Sequence, residues 1–486
     1  MKKIVLSTVV FASIAFAGGG NVVTNLSDND ELRAEFDALQ GKFEALKAKV
    51  DANDNEKMAK KIKSMDKKIN KVRAHDAKDN IKWGVDLRTS LDAVSYTMAD
   101  GSKRRNRDLF SNRLWLNMAY KPSDNVLFKG QLAYNKAYGA DMNNNRGGGY
   151  DQFDWVTNES LTDSNIRVRQ AYWLYMGDDF LGTGIPWTAS LGRRPSTTGF
   201  LSNLREDDKA QSPLGHIIDV EFDGGSSLFK LEKATGISGM SFKLCAGQGG
   251  TNAAPRFSNT GTDYADASTG MEDIKLAGFI FVPYDNGTLK VKTNAFKAFN
   301  LPGGTRAAPL TTRGDMTGAV VSVMIDGLEA LNEDSDFLAD TKVFASYAVS
   351  ETQPDGGKKM LGSSENQRGH SFWVGAQVPV SALGGKLGVE YNKGSKYWRS
   401  FTYAEDTMIG SKLATRGDAI EAYYTQPITK SLSAQVRYTK IDYDYSGSNA
   451  FFGDNGTPMS MVQAQAARMN PVEKAEDIRA YVRYRF

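Results

Sequence analysis

One cysteine, Cys245, stands in 486 residues, so no intramolecular disulfide can form and no disulfide framework holds this chain. No long apolar run follows the first seventeen residues, which leaves no candidate for a membrane-spanning helix and excludes an inner-membrane helical protein. Histidine is nearly absent: His75, His216 and His370 fall in no metal-ligand spacing, and no Cys-x-x-Cys-His attaches a haem. His216 or His370 could supply the base of a hydrolase, but no local motif supports either. The formal net charge of +3 gives no case for nucleic acid. The triple glycine Gly147 to Gly149 follows no strand-to-helix phosphate motif and reads as loop. The segment Phe451 to Pro458, FFGDNGTP, lacks the ligand spacing of a calcium loop and reads as a solvated turn. No catalytic residue, metal or cofactor is expected.

The last ten residues, DIRAYVRYRF, have a strict period of two. Ile478, Ala480, Val482, Tyr484 and Phe486 fall on one face; Asp477, Arg479, Tyr481, Arg483 and Arg485 fall on the other. One face is apolar and the other cationic, which suits a strand between lipid and a water-filled lumen. At the other end, Met1 to Ala17 has a basic start at Lys2 and Lys3, a short apolar stretch and a small-x-small site at Ala15 to Ala17. That is the form of a secretory signal peptide, over residues 1–17.

Residues 18–79 change character. Leu32, Phe36, Leu39, Phe43, Leu46 and Val50 have the alternating four-three spacing of a coiled coil, and Met58, Ile62, Met65, Ile69 and Val72 repeat it. Asp51 to Lys57 breaks the phase, so either an interrupted coiled coil or a helical hairpin fits. The apolar seam wants partners. The expectation is a periplasmic helical segment that joins three copies, with a helix pair on the barrel rim as the alternative.

From residue 80 to 486 the period is two. Ile81, Trp83, Val85 and Leu87 alternate with Lys82, Gly84, Asp86 and Arg88; Leu114, Leu116, Met118 and Tyr120 alternate with Arg113, Trp115 and Asn117. Val168, Gln170 and Tyr172 alternate with Arg167, Arg169, Ala171 and Trp173. Short turns (Pro122 to Asp124, Asp285 to Gly287, Ser381 to Gly385, Gln426 to Ser431) alternate with long polar connections, among them Leu301 to Asp315 and Lys396 to Arg416. This is the plan of an all-β transmembrane barrel, antiparallel, with 16 to 18 strands and an aqueous channel instead of a packed interior.

The alternation places Lys82, Arg88, Arg113, Lys129, Arg167, Arg169, Arg194, Arg437, Arg479, Arg483, Arg485, Asp86, Glu390 and Glu421 on the lumen face as candidate pore-lining residues. Their cationic excess favours anions. The segment Arg193 to Gly215, with Arg193, Arg205, Glu206, Asp207 and Asp208, is the candidate constriction.

The signal peptide, the heptads from Leu32 to Val72, the strand Ile81 to Asp92, SLGRRPST (Ser190 to Thr197) and the terminal YVRYRF together resemble the porin-like outer-membrane proteins of epsilon-class proteobacteria, a family largely described only as a domain of unknown function. The resemblance implies a barrel and passive diffusion of small hydrophilic solutes. The terminal aromatic looks like the signal that the barrel assembly machinery reads. The expectation is an outer-membrane porin with a mild anion preference, a homotrimer, embedded in outer-membrane lipid and lipopolysaccharide. A structural or adhesive protein with a plugged barrel is the alternative.

Overall fold

The computed structural model describes residues 81–486 apart from 139–165, 195, 253–255, 259–260, 264–270, 306–307, 333, 403–406, 449 and 451. Before them it describes residues 38, 40–42, 44–45, 64–65 and 67–69, all helical. The expected signal peptide, most of the heptad seam and His75 lie outside the described residues.

Sixteen strands close into one antiparallel barrel. They are β1 Lys82–Met98, β2 Lys103–Ser123, β3 Val126–Ala137, β4 Arg167–Gly177, β5 Trp187–Arg194 and β6 Phe222–Lys230. Next come β7 Ser241–Gly250, β8 Ile274–Asp285, β9 Leu289–Thr305, β10 Ala308–Asp326 and β11 Lys342–Pro354. The last five are β12 Gln367–Val380, β13 Gly385–Gly394, β14 Gly417–Pro427, β15 Leu432–Tyr443 and β16 Val472–Arg485. Each strand pairs with its sequence neighbour, and β16 returns to β1 with Arg88 opposite Arg483 and Asp92 opposite Arg479. Phe486 finishes the seam by exchanging two backbone hydrogen bonds with Val85, each 3.1 Å.

Closure leaves no strand edge to solvate, and the pleat sends alternate side chains outward. The outward set is apolar and exposed around the ring: Leu87, Trp173, Leu191, Leu244, Phe279, Val321, Tyr347, Val374, Val389, Ile420, Val436, Ile478 and Val482. A continuous apolar band of this kind far exceeds the patches that water-soluble monomers expose. It is the surface of a barrel that sits in lipid.

Three sequence expectations need correction. In β4 the faces exchange part-way: Gln131 pairs with Gln170 but Leu132 with Val168, so Arg169 is an extra residue in a bulge. Beyond it Tyr172 turns inward and is buried, while Trp173 points out at 45% exposure. Second, the expected long loop Leu301 to Asp315 is largely strand: β9 runs to Thr305 and β10 resumes at Ala308, with bulges around Pro302 absorbing its missing N–H. Third, the interior is not simply aqueous. Phe296, Met316, Val320, Met324, Phe344 and Trp373 face inward and pack against Leu201, Leu214, Ile217, Trp398, Phe401 and Leu413 from two loops folded into the barrel.

Candidate functional site: a charged loop across the lumen

The first inward loop joins β5 to β6. It carries the short parallel pair of Gly199–Phe200 with Gln211–Leu214, and its tip holds Arg205 to Lys209. Strands β5 and β6 are each eight places round the ring of sixteen from β13 and β14, so the far wall lies diametrically opposite the loop's root. The tip reaches that wall and is clamped there by opposite charges. Arg205 Nη1 donates to Glu421 Oε1 at 2.9 Å and Oε2 at 3.0 Å on β14. Arg437 Nη1 on β15 donates to Glu206 Oε1 at 3.1 Å, and Tyr481 on β16 donates its hydroxyl to Glu206 Oε2 at 2.9 Å. Arg88 on β1 lies 3.7 Å from Glu206, and Lys386 on β13 reaches Asp207 at 2.9 Å. Arg483 holds Asp86 and also Asp208, the latter at 2.9 Å, and Arg485 meets Asp208 at 2.5 Å. Five strands thus grip one loop tip.

The clamp is dry. Arg205, Glu206, Arg437, Arg483 and Glu421 are all buried, Glu421 completely. Charges removed from water need good geometry and full pairing, which is why the acids of the loop and the bases of the wall alternate. Cutting one partner leaves the other buried and unpaired.

A second loop, whose described residues are 395–402 and 407–416, also folds into the interior, which its polar composition did not signal. Phe401–Thr402 pairs in parallel with Ile218–Asp219 of the first loop. Lys412 bridges Glu390 at 2.6 Å and Glu421 at 2.5 Å, so both loops share one wall carboxylate. Arg416, fully buried, donates to the carbonyls of Trp398 at 3.0 Å, Ser446 at 2.9 Å and Gly456 at 2.8 Å. The segment expected to be a solvated turn therefore packs: Phe452 is buried and Gly456 accepts from Arg416.

Each candidate pore-lining residue faces the barrel interior. Asp86, Arg88, Arg113, Arg169, Arg437, Arg479, Arg483, Glu390 and Glu421 are buried there. Arg479 pairs with Asp92 at 2.5 Å, Arg169 with Glu221 at 2.7 Å, and Arg113 stacks over Trp115 at 3.7 Å. Lys82 and Arg167 lie on the same inward pleat and are half-buried. Of the constriction candidates, Arg205, Glu206, Asp207 and Asp208 form the clamp, while Arg193 stays near the root on Glu221 at 3.3 Å and Asp223 at 3.5 Å.

On the near side stand Lys129, expected on the lumen face, and Lys209, inside the expected constriction segment; the groups not foreseen are Lys243 beside them and the buried His216. Lys129 and Lys209 are exposed inside the barrel and within electrostatic reach of each other and of Arg194, which lies over the Tyr172 ring at 4.1 Å. No carboxylate pairs with these three cations among the described residues. His216 has no exposure. Its ring nitrogens meet Ser346 Oγ at 2.8 Å and Ser371 Oγ at 3.0 Å, between Trp373 and Trp398. Burial pulls its pKa down to about 3, so it is neutral and sealed from solvent.

Several solved structures are similar to this chain. The anion-selective porin from Comamonas acidovorans has a TM-score of 0.47 at 10% identity, covering 84% of this chain and 100% of that one. Salmonella typhi OmpF in complex with daunomycin has a TM-score of 0.43 at 13% identity, covering 85% and 99%. The loop L8 deletion mutant of OmpT, an outer membrane protein of Vibrio cholerae, has a TM-score of 0.42 at 12% identity, covering 83% and 99%. No curated protein matches the chain. A protein family described as "Protein of unknown function (DUF3373)" matches residues 103–486.

Proposed function

The chain belongs to that family of unknown function, and from the barrel itself we propose an outer-membrane channel for small hydrophilic solutes, narrowed by the inward loops and mildly selective for anions. The observation that carries this reading is the loop tip, rooted at β5 and β6 and clamped to the opposite wall at Glu421, Arg437 and Arg483. A loop stretched across a diameter divides the lumen, and together with the second loop it narrows what is left. The apolar outer band supports a place in lipid, and closure satisfies every strand edge there. Anion preference is supported by Lys129, Lys209 and Arg194, whose charge no described carboxylate cancels. We further propose that the helical segment before residue 80 joins three copies in the periplasm and that the terminal strand is read by the assembly machinery.

The dry packing of residues 398–402 and 411–416 favours a second reading, a closed structural barrel with the helical segment as a periplasmic spacer. Reconstitution in planar bilayers separates the two. Heat-modifiable, folded protein is expected to give stable current steps with a reversal potential on the anion side. Folded protein that leaves the bilayer silent would overturn the channel reading and leave the structural one.

A further inference from the structure

Between the first inward loop and the wall of β6, β7, β8 and β9 lies a pocket of about 200 Å³. Leu228, Ile280 and Val282 of the wall and Phe200, Pro213 and Leu214 of the loop give it an apolar body. Two ammonium groups complete it, Lys243 and Lys292, and no acid lines it among the described residues. Lys243 donates to Ser212 Oγ at 3.0 Å. Lys292 lies over the Phe200 ring at 4.4 Å and faces Asp285 at 3.8 Å, longer than a good ion pair. A neighbouring space of about 30 Å³, room for a water, shares Ser212, Pro213 and Lys243 and adds Arg194 to the cations around it.

This combination specifies a ligand class. An ammonium among apolar side chains is stabilised by an anion brought to it, since the low dielectric strengthens the pairing. Asp285 offsets part of the Lys292 charge, so between one and two positive charges remain, which one carboxylate held between the two ammonium groups largely matches. The six apolar side chains reward a ligand with an apolar body, and the volume is below the 300–1,000 Å³ of drug-sized sites. We propose that this pocket binds a small monocarboxylate with a compact apolar body, the carboxylate taken by Lys243 and Lys292 and the body resting on Leu228, Ile280 and Val282. Ser241 opens its strand, Val282 is three residues before the turn at Asp285, and Lys292 is three residues after Leu289, so the site lies near the short-turn end of the barrel. A solute that crossed the clamp would meet it there. The proposal goes beyond the channel reading, and binding itself does not require conduction.

Calorimetric titration of the folded full chain in detergent with sodium benzoate, and with benzamide as the neutral isostere, tests it. Saturable binding of benzoate is expected, with benzamide weaker by about tenfold or more, the usual value of a charge-assisted hydrogen bond. Lys243→Met, which keeps the aliphatic stem, is expected to weaken benzoate by a similar factor and to leave the heat-modifiable shift of the barrel in place. Lys292→Met gives the same measurement on the second ammonium should the first variant not fold. Benzoate and benzamide binding alike, or benzoate affinity unchanged in the folded variants, would overturn the proposal. Bilayer currents from the same preparations keep the two readings apart: binding without current sinks the channel alone, and current without binding sinks the pocket alone.

Discussion

Glu421 accepts from Arg205 of the first loop, Lys412 of the second and Thr439 of the neighbouring strand, with no exposure to water. Its charge is the common counter-ion of two buried cations, and removing it leaves Lys412 with Glu390 at 2.6 Å and Arg205 with Glu206 at 3.6 Å, one carboxylate fewer in a dry cluster. Glu421→Gln is expected to destabilise the folded barrel by about 3–5 kcal/mol, read as a lower urea midpoint in lipid vesicles. A midpoint within error of wild type would show that Arg205 and Lys412 find other partners. His216 makes a second prediction by the opposite route. Its folded pKa of about 3 lies below the ordinary histidine value, so between those limits the unfolded chain binds a proton that the folded one does not. Its contribution is intact above about pH 6.5 and is lost as pH falls towards 3, with a slope of at most about 1.4 kcal/mol per pH unit. The stability difference between wild type and His216→Gln should therefore shrink steadily from pH 6.5 to pH 4.5. A constant difference would contradict a sealed, neutral imidazole. Neither role was legible in the sequence, because a lone histidine and a lone glutamate carry no spacing signal; only the pleat parity of Glu421 was readable.

The strands were legible as elements because lipid on one side and polar groups on the other impose a period of two, as in Ile81 to Arg88 and Asp477 to Phe486. The inward loops were legible only in part. The charges of Arg205 to Asp208 drew attention to the first, but Lys396 to Arg416 has no period, and its Trp398, Phe401 and Leu413 are buried by contact with a distant wall. The signal for a packed interior was present elsewhere: Ala319 to Ile325, AVVSVMI, is apolar on both faces, as a strand buried on both sides is. The second loop depends on close backbone approach, since a Cβ on Gly369 would come 2.2 Å from the Trp398 backbone nitrogen. Gly369→Ala is expected to displace residues 395–416 and expose Lys396 and Arg399 to trypsin while the barrel keeps its β circular dichroism. Resistance equal to wild type would mean that the wall yields instead. For the helical segment the prediction rests on spacing alone: Leu39 and Leu46 occupy consecutive seam positions, so replacing both with Asp should dissociate a trimer and leave the barrel folded. An unchanged oligomer mass would remove the segment as the trimerising element.

For the whole molecule, what a passing ion feels is net charge, not the number of arginines. Arg479 is matched by Asp92, Arg483 by Asp86 and Asp208, and Arg205 by Glu421, so this wall presents paired, largely neutral charge to the lumen. The terminal-strand arginines that dominate the sequence pattern are therefore holding the loop and closing the seam, and their removal should cost folded protein before it changes selectivity. On the proposed channel reading, the exposed cations that would act on solutes on the other side of the loop include Lys129 and Lys209, both exposed within the barrel and close enough to repel one another. Like charges held near each other without an acid between them raise the local anion concentration. Converting Lys129 and Lys209 together to Gln is expected to move the zero-current potential in a salt gradient towards cations, with the urea midpoint unchanged or raised as the repulsion disappears. Screening over roughly 10 Å at 0.1 M salt makes the shift largest in dilute solution and small near 1 M. Arg479→Gln is the counterpart, expected to lower the folded fraction while the surviving channels keep the wild-type reversal potential. Should the lysine pair leave the potential unmoved at low salt while Arg479→Gln shifts it, the paired wall would be the selective element, and the assignment of selectivity to the near side would be wrong.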